Sequence, residues 1–193
     1  GGANNYMTWE IETDVVYKPW RFIGVGAGFL FTPPIDGNKT YSGEARDKNL
    51  RWQIEENRLM YLFAFRSGVY LYSPPVYLNH DHDVALSFRV SPGVTIPLPP
   101  NLSTSVDYVP KDAIIHVPAT SGEVSNSHAK ACYYHVKFAM ALEVERVSVL
   151  LGYTTSNYDL YGGSRNMIVE GQKIELPRKK QAGTFFIGLT YDF

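Results

Sequence analysis

"CYYHVKFAMALEV", residues 132–144, alternates apolar with polar or small side chains along most of its length. Successive side chains of a β-strand point to opposite faces, so every second residue shares a face. One face of this segment is apolar and comprises Tyr134, Val136, Phe138, Met140, Leu142 and Val144. The other face carries His135, Lys137, Ala139, Ala141 and Glu143. The alternation predicts a strand with one apolar face and one face that includes charges.

The same period of two recurs in six further segments. They span residues 6–17, 20–31, 59–72, 84–96, 147–158 and 183–193. Ordinary strands have about 5 or 6 residues, whereas a tilted strand needs about 9 to 11 residues to cross a bilayer. The length of the segments therefore favours strands that span a membrane.

The polar faces of these segments are too charged for the core of a water-soluble protein, because burying unpaired charge is costly. In a soluble sandwich the charged face would lie outside in water. In a membrane barrel the apolar face would meet lipid and the charges would pair inside. Both arrangements satisfy the alternation, but the segment length and the rhythm of short and long connections favour the barrel. The predicted fold class is all-β, an antiparallel up-and-down transmembrane β-barrel.

Length and composition exclude several other classes. The 193 residues fit a single barrel domain, with long loops at about 32–58, 97–131 and 159–182. The net charge is -1 and the basic residues are dispersed, which argues against a nucleic-acid partner. The single cysteine can form neither an intrachain disulfide nor a cysteine-based zinc site. The apolar runs are too short for a membrane-spanning helix of about 20 residues.

Six charged residues on the polar faces are candidates for a network inside the barrel. They are Glu10, Glu12, Arg66, Arg89, Lys137 and Glu143. An eight-stranded barrel is just wide enough for side chains to fill it. The network could form a gated pore or a proton path, but a structural plug of salt bridges is the favoured interpretation.

Local signals refine the expected strands. Turns are predicted at Lys18 and Pro19 and near Glu145 and Arg146. Pro92 has no backbone donor, so it is expected to mark a bulge or a strand end. Three glycines recur with a period of two and are expected to make room for large interior side chains: Gly24, Gly26 and Gly28.

Two stretches resemble a known family. The ending GLTYDF is similar to the C-terminal signature of Gram-negative outer-membrane β-barrels, and WEIETDVVYKPWRFIGVGAGFLF resembles a hairpin of the small porin-like barrels of Bacteroidetes. The resemblance implies an eight-stranded barrel in the cell outer membrane. It also implies that Tyr191 and Phe193 serve as an assembly signal read by the barrel assembly machinery.

The number of visible segments is one fewer than the eight strands expected. Such barrels have an even number of strands, but seven segments are visible. We expect a further strand ahead of Tyr6, since this keeps the short turns on the periplasmic side. The second-ranked alternative is an eighth strand within residues 40–57, around NLRWQIEE.

The expected function is non-enzymatic, a structural or binding role of the extracellular loops. The alternatives are a lipid-modifying enzyme on the same barrel, for which no nucleophile and base lie close in sequence, and a soluble β-barrel or sandwich that carries a ligand. No cofactor and no metal are expected, because His80 and His82 in NHDHD are interpreted as solvated residues of a polar turn. We expect a monomer in contact with outer-membrane lipid, with an extracellular ligand or protein as a possible partner of the loops.

Overall fold

The computed structural model describes residues 10–33, 39–99, 102–112, 117–126, 129–176 and 183–191. These residues form an all-β structure with one turn of 3₁₀ helix at Glu56–Leu59. The strands are, in chain order, β1 Ile11–Trp20, β2 Ile23–Phe31, β3 Thr40–Glu44, β4 Leu50–Glu55, β5 Phe63–Tyr72, β6 Val76–Tyr77, β7 Val84–Leu98, β8 Ser103–Pro110, β9 Thr120–Ser125, β10 Tyr133–Val144, β11 Val147–Ser156, β12 Ile168–Val169, β13 Gln172–Lys173 and β14 Thr184–Tyr191. No helix among the described residues is long and apolar enough to cross a membrane.

The larger sheet is an antiparallel meander that curls on itself. Its long strands pair in the order β1-β2-β5-β7-β10-β11-β14, and the short β6 pairs with β7. Side chains on its concave face meet across the curl. Lys137 Nζ on β10 lies 3.1 Å from Asp14 Oδ2 on β1, four strand positions away in the sheet. The sheet is therefore a curled half-barrel. The prediction of an all-β fold with antiparallel strands is confirmed.

The two faces of the curled sheet differ in chemistry. Its convex face is apolar and exposed, with Phe138 48% and Leu189 76% accessible. Its concave face is polar and buried, with Arg66 3% and Lys137 8% accessible. This arrangement reverses that of a soluble sandwich, in which the apolar face would be buried.

The short hairpins test the predicted turns. The turn at Glu145 and Arg146 is confirmed, because Val144 pairs with Val147 across it. The turn predicted at Lys18 and Pro19 is wrong. β1 continues through these residues to Trp20, which pairs with Ile23, and the two residues between them form the turn. The register shifts between Tyr17 and Trp20, so an irregularity within the strand accommodates the proline, which has no backbone donor.

Pro92 does not end its strand. β7 runs through it to Leu98, and the register on either side of Pro92 is unchanged. The pairing with β5 is interrupted beside Pro92 and resumes at Val90, as expected for a residue that cannot donate to the ladder. The expectation of a bulge or a strand end at this residue is therefore wrong.

A second antiparallel sheet lies in segments that were predicted to be long loops. Its strands pair in the order β3-β4-β8-β9. The stretch NLRWQIEE contributes β4, so it is a strand, but it pairs within this smaller sheet and not with the curled one. The alternative that placed the barrel's eighth strand there is wrong. We call the described residues of 39–62, 102–126 and 156–176 the cap.

One hydrophobic cluster joins the cap to one end of the curled sheet. Leu30 and Ala64 come from strand ends of the curled sheet, and Trp52, Ile54 and Val106 come from the cap. The alternation of Trp52 with Ile54 along β4 directs both side chains to the same face. The cap thus covers one end of the curled sheet, and the short turns at residues 21–22 and 145–146 lie at the other.

Candidate functional site

The first charged cluster of the concave face centres on Glu12. Arg66 Nη1 donates to Glu12 Oε2 at 2.7 Å, and Lys137 Nζ donates to the other carboxylate oxygen of Glu12. Lys137 also contacts Asp14 Oδ2 at 3.1 Å, and Arg66 Nη2 lies 3.8 Å from Glu10 Oε2. Three carboxylates, one just ahead of β1 and two on it, therefore surround two cations from β5 and β10. Ion pairs of this kind join three strands that are not all adjacent.

The second cluster lies nearer the short turns and centres on Arg89. Its Nη2 donates to Glu143 Oε1 and to Ser148 Oγ, both at 3.0 Å, and its Nη1 donates to Thr190 Oγ1 at 3.2 Å. The guanidinium also lies 5.3 Å from the centre of the Tyr72 ring. Arg89 on β7 thus contacts β14, three strand positions away. This cluster links the two halves of the curl near the turns.

The structure divides the six predicted residues between these clusters. Glu10, Glu12, Arg66 and Lys137 meet in the first, and Arg89 and Glu143 meet in the second. The predicted set did not include Asp14 or Tyr70, whose hydroxyl donates to Asp14 Oδ2 at 2.8 Å. Asp14 could have been found, because alternation places it on the same face as Glu12.

Small residues in β2 leave space for large side chains on the concave face. A Cβ at Gly26 would lie 2.7 Å from Tyr70 Cε2 and 2.9 Å from Val16 Cγ2. A Cβ at Gly28 would collide with the backbone carbonyl oxygen of Thr13 and with Asp14 Oδ1. The space over Gly26 is thus occupied by neighbouring side chains, Tyr70 above all, and the Tyr70 ring is held by its hydrogen bond to Asp14. The space at Gly28 is taken by the backbone and the Asp14 side chain of β1.

Thr95 and His135 form a buried pair on the same face. Thr95 Oγ1 lies 2.9 Å from His135 Nδ1. A hydroxyl beside an imidazole is the arrangement that a nucleophile and its base require. Thr95 is fully buried and His135 is nearly so, which leaves this hydroxyl without access for a substrate in the structure as described.

The segment that was considered for metal binding is a turn. His82 packs against the ring of Tyr77 with centroids 4.4 Å apart, and Asn79 Oδ1 accepts a hydrogen bond from the Val84 amide. Among the described residues there is no group of three or more side chains that could hold a metal ion. The contacts of this segment stabilise the entry into β7.

The interior of the cap contains a buried acid and a group of tyrosines. Tyr161 donates its hydroxyl to Glu56 Oε1, and both residues are buried. Tyr61 packs on Tyr158 with ring centroids 6.3 Å apart. Burial, with the charge of Glu56, raises the pKa of Tyr41 to about 12, and burial with the charge of Asp159 raises that of Tyr61 to about 12.

Hydrogen bonds fix the third cap segment to the other two. Asn126 Nδ2 donates to the carbonyl oxygens of Gly163 and Arg165 at 2.9 and 2.8 Å. Ser164 Oγ donates to the carbonyl oxygen of Leu59 at 2.8 Å, and Tyr108 donates its hydroxyl to Glu170 at 2.9 Å. Segments distant in sequence therefore form one connected unit at the end of the curled sheet.

The outward face of the cap sheet is polar. Ser42, Gln53, Asp107 and Ser121 lie side by side across its four strands. Asp107 accepts hydrogen bonds from Ser121 at 2.9 Å and from Arg58 at 2.9 Å. Hydroxyl, amide and carboxylate groups in such a row can exchange hydrogen bonds with a polar partner.

The predicted assembly signal lies on the last strand. Tyr191 is exposed at the end of β14 and pairs with Val147 beside the turn. Phe193 lies outside the described residues. The role of both residues therefore stays a prediction.

No protein-family model, no curated protein and no solved structure matches this chain. The resemblance to Gram-negative outer-membrane barrels accordingly stays a prediction as well.

Proposed function

We propose that this chain is an outer-membrane β-barrel protein of the small porin-like kind, without enzymatic activity, whose cap is extracellular. The observation that carries the proposal is the polarity of the curled sheet. Apolar side chains such as Phe138 and Leu189 are exposed on its convex face, and the charged residues are buried on its concave face. Contiguous exposed apolar surface of more than a few hundred Å² is typical of membrane or protein contacts. An apolar outer face of this kind is suited to contact with lipid.

Strand length and the position of the cap agree with this proposal. β1 has 10 residues, β10 has 12 and β11 has 10, close to the roughly 9 to 11 residues that cross a bilayer. Outer-membrane barrels have short turns on the periplasmic side and long segments outside. The cap is therefore assigned to the outside, and exposed aromatic residues near the short turns, such as Trp20 and Tyr77, to the inner interface of the membrane.

The tightness of the curl supports closure as an eight-stranded barrel. Lys137 on β10 contacts β1 directly, and these strands are four positions apart. In a ring of eight, strands four positions apart face each other across the interior, which in such a ring is just filled by side chains. We propose that one further strand closes the barrel between β1 and β14. The charged clusters then act as a plug.

A role of the cap in contacting an external partner follows from its surface. The polar row of Ser42, Gln53, Asp107 and Ser121 would face the outside of the cell. We propose that the cap binds a polar partner there or covers the membrane surface. The terminal aromatic residues Tyr191 and Phe193 are proposed to be read by the barrel assembly machinery, and the protein is proposed to be a monomer.

A lipid-modifying enzyme on the same barrel is the second candidate, and the Thr95–His135 pair is the observation in its favour. Both side chains are buried beneath the cap, so a lipid would have to displace protein to reach them. We expect Thr95→Val to leave the lipid composition unchanged. Mass spectrometry of outer-membrane lipid from cells that express the chain or this variant measures it, and a lipid species that depends on Thr95 would establish the enzyme.

An arginine on the convex face tests the membrane proposal against a soluble ligand carrier. Met140 lies on that face near the middle of β10. In a bilayer Met140→Arg should cost about 2–4 kcal/mol of folding stability in lipid vesicles. On a water-exposed surface the same change should stay within about 0.5 kcal/mol.

Tyr134→Arg is the matched control, because Tyr134 is exposed on the same face of β10 but lies at the cap end. We expect a small effect there, since the cost of a charge falls to about 0–1 kcal/mol near the interface. A chain that partitions into buffer without detergent, with Met140→Arg harmless, would overturn the proposal.

A further inference from the structure

The ammonium group of Lys137 lies between two carboxyl groups of β1. Its Nζ donates to Glu12 Oε1 and lies 3.1 Å from Asp14 Oδ2. All three side chains are largely removed from water, with 10% of the Lys137 side chain, 20% of that of Glu12 and 19% of that of Asp14 accessible. A primary amine is therefore held beside two carboxyl groups at a shielded site, and an amine and a carboxyl group are the reactants that form an amide bond.

The two carboxyl groups differ in their other hydrogen bonds. Glu12 Oε2 accepts a hydrogen bond from Arg66 Nη1 at 2.7 Å, so this carboxylate is held between two cations. An oriented carboxylate in contact with an ammonium group is placed to accept its proton. Glu12 is therefore suited to act as a base towards Lys137.

Asp14 has a neutral donor in the position that Arg66 takes at Glu12. The hydroxyl of Tyr70 donates to Asp14 Oδ2 at 2.8 Å. When an amine attacks a carboxyl carbon, negative charge develops on the carboxyl oxygen, and a fixed hydrogen-bond donor at that oxygen stabilises it. Asp14 is therefore suited to be the group that is attacked.

We propose that Lys137 and Asp14 react within the folded chain and form an intramolecular amide bond, with Glu12 as the catalytic base and Tyr70 as the donor to the attacked carboxyl group. This inference assigns a covalent modification site to the concave face of the curled sheet. It goes beyond the proposed function and does not depend on a membrane, because the three reacting side chains are shielded by the chain itself.

The atoms and charges of this reaction balance without an oxidant or a co-reactant. Glu12 takes a proton from the ammonium group of Lys137, and the neutral amine attacks Cγ of Asp14. The bond between Nζ and Cγ forms, and the bond between Cγ and one carboxyl oxygen breaks. That oxygen leaves as one water molecule with the two protons that the nitrogen loses, one of them delivered by Glu12, which returns to its carboxylate form.

Two physical effects favour the amide at this site. Groups that are held in position by a fold can react as if one of them were present at about 10⁵–10⁸ M. The position of Asp14 is constrained in this way, because its carboxyl group lies against β2 where Gly28 has no side chain. The reaction also converts an ammonium and a carboxylate into a neutral amide, which removes the cost of keeping these two charges out of water.

The bond connects two strands that are distant both in the sheet and in the sequence. β1 and β10 are four strand positions apart, and Asp14 and Lys137 are separated by 123 positions along the chain. A covalent link across a long segment restricts the unfolded chain. The amide therefore acts as a covalent brace across the curl, in the place of an ion pair.

Mass spectrometry of the unaltered chain tests the proposal. The chain is prepared in denaturant, where Lys137 and Asp14 are not held together, and is then folded in detergent or in buffer. We expect the intact mass to fall by one water molecule on folding. Trypsin should no longer cleave after Lys137, because an acylated lysine is not recognised, and tandem mass spectrometry should find residues 14 and 137 in one cross-linked pair of peptides.

Variants of the chain test the role of each group. Lys137→Arg keeps the positive charge but lacks the amine, Asp14→Ala lacks the attacked carboxyl group, and Glu12→Gln lacks the base. Each should keep the full mass of its sequence after folding. Glu143→Gln is the matched control, because Glu143 pairs with Arg89 in the other cluster, and it should lose one water molecule as the unaltered chain does. Circular dichroism establishes that each variant is folded.

The time course of the mass change tests the contribution of Tyr70. Tyr70→Phe removes the donor to Asp14, and we expect the loss of water to become at least about tenfold slower. A folded unaltered chain that keeps the full mass of its sequence, a cross-link from Lys137 to Glu12 in place of Asp14, or an unimpaired loss of water in folded Glu12→Gln would each overturn the inference.

Discussion

Lys137 and Asp14 meet across the concave face of the curled sheet, with Nζ and Oδ2 3.1 Å apart. Their strands are four positions apart in the sheet, so backbone pairing between neighbours cannot by itself bring them together. Both side chains are largely removed from water. The ion pair, which Lys137 extends to Glu12, therefore links opposite walls of the curl as well as balancing charge.

Removing the cation should destabilise the curled sheet. Lys137→Met leaves Glu12 and Asp14 without this partner, and breaking a buried ion pair on one side typically costs about 3–5 kcal/mol. Denaturant unfolding in detergent micelles, followed by circular dichroism, measures the loss. Adding Asp14→Asn to Lys137→Met should restore part of the stability, because position 14 then carries no charge, while Glu12 keeps the guanidinium of Arg66 as its partner.

Lys111→Met is the matched control for this substitution. Lys111 Nζ lies 3.6 Å from Glu44 Oε1, and both side chains are exposed. Exposed pairs contribute about 0–1 kcal/mol, so the control should unfold almost as the unaltered chain does. Equal losses for Lys137→Met and Lys111→Met would contradict the assignment of Lys137 to a buried interior.

Adding a methyl group at Gly26, on the concave face of β2, should lower the free energy of unfolding, because the Tyr70 ring occupies the space there. Gly26→Ala places a Cβ 2.7 Å from the Tyr70 ring, and overpacking typically costs about 1–3 kcal/mol. Gly188→Ala is the control, because its Cβ would meet Leu150 at an ordinary 3.4 Å. Unfolding curves of both variants measure the difference, and a Gly26→Ala protein as stable as Gly188→Ala would show that Tyr70 is not held over this glycine.

The curled sheet could be predicted from sequence because each of its long strands carries its own signal. Alternation in residues 132–144 and 147–158 depends on neighbours along the chain, and the hairpin at Glu145 follows directly. The position of the first turn could not be predicted, because Pro19 was interpreted as its corner while the strand tolerates the proline through a register shift. The cross-sheet partners of Lys137 also depend on curvature, which a single strand does not encode.

The cap was not predicted, since its strands pair over long sequence separations. Gln53 on β4 pairs with Asp107 on β8, and no local pattern identifies that partner. Its strands are short, with 5 residues in β3 and 6 in β4, and their outward positions are polar. The alternation of Trp52 and Ile54 within NLRWQIEE indicates a strand. It does not indicate in which sheet that strand pairs.

Truncating a core residue of the cap should loosen the cap before the curled sheet. Trp52 is 4% accessible and belongs to the cluster that joins the two sheets, and Trp→Ala in a core costs about 3–5 kcal/mol. Trp52→Ala should therefore raise protease cleavage within residues 39–62, with the strands of the curled sheet still protected in detergent. Gln53→Ala, on the outward face of the same strand, is the control and should leave cleavage unchanged.

Mass mapping of the fragments distinguishes the outcomes for Trp52→Ala. Cleavage confined to the cap indicates local opening of a unit that has its own core contacts. Simultaneous cleavage within β10 and β11 would contradict the prediction, because it would mean that the cap and the curled sheet unfold together.

The stability of the cap should fall at alkaline pH. The pKa of both Tyr41 and Tyr61 is raised to about 12 in the folded cap, whereas an unperturbed tyrosine titrates near about 10. Below pH of about 10 both states keep the proton, so the contribution of these residues is fully present. Between about 10 and 12 the unfolded chain releases protons that the folded cap retains, so the free energy of unfolding decreases as pH rises. Denaturant unfolding along this pH range measures the slope. Tyr41→Phe with Tyr61→Phe should reduce the slope without abolishing it, because burial also raises the pKa of Tyr158 in the cap. An unchanged slope in this double variant would show that neither hydroxyl is responsible.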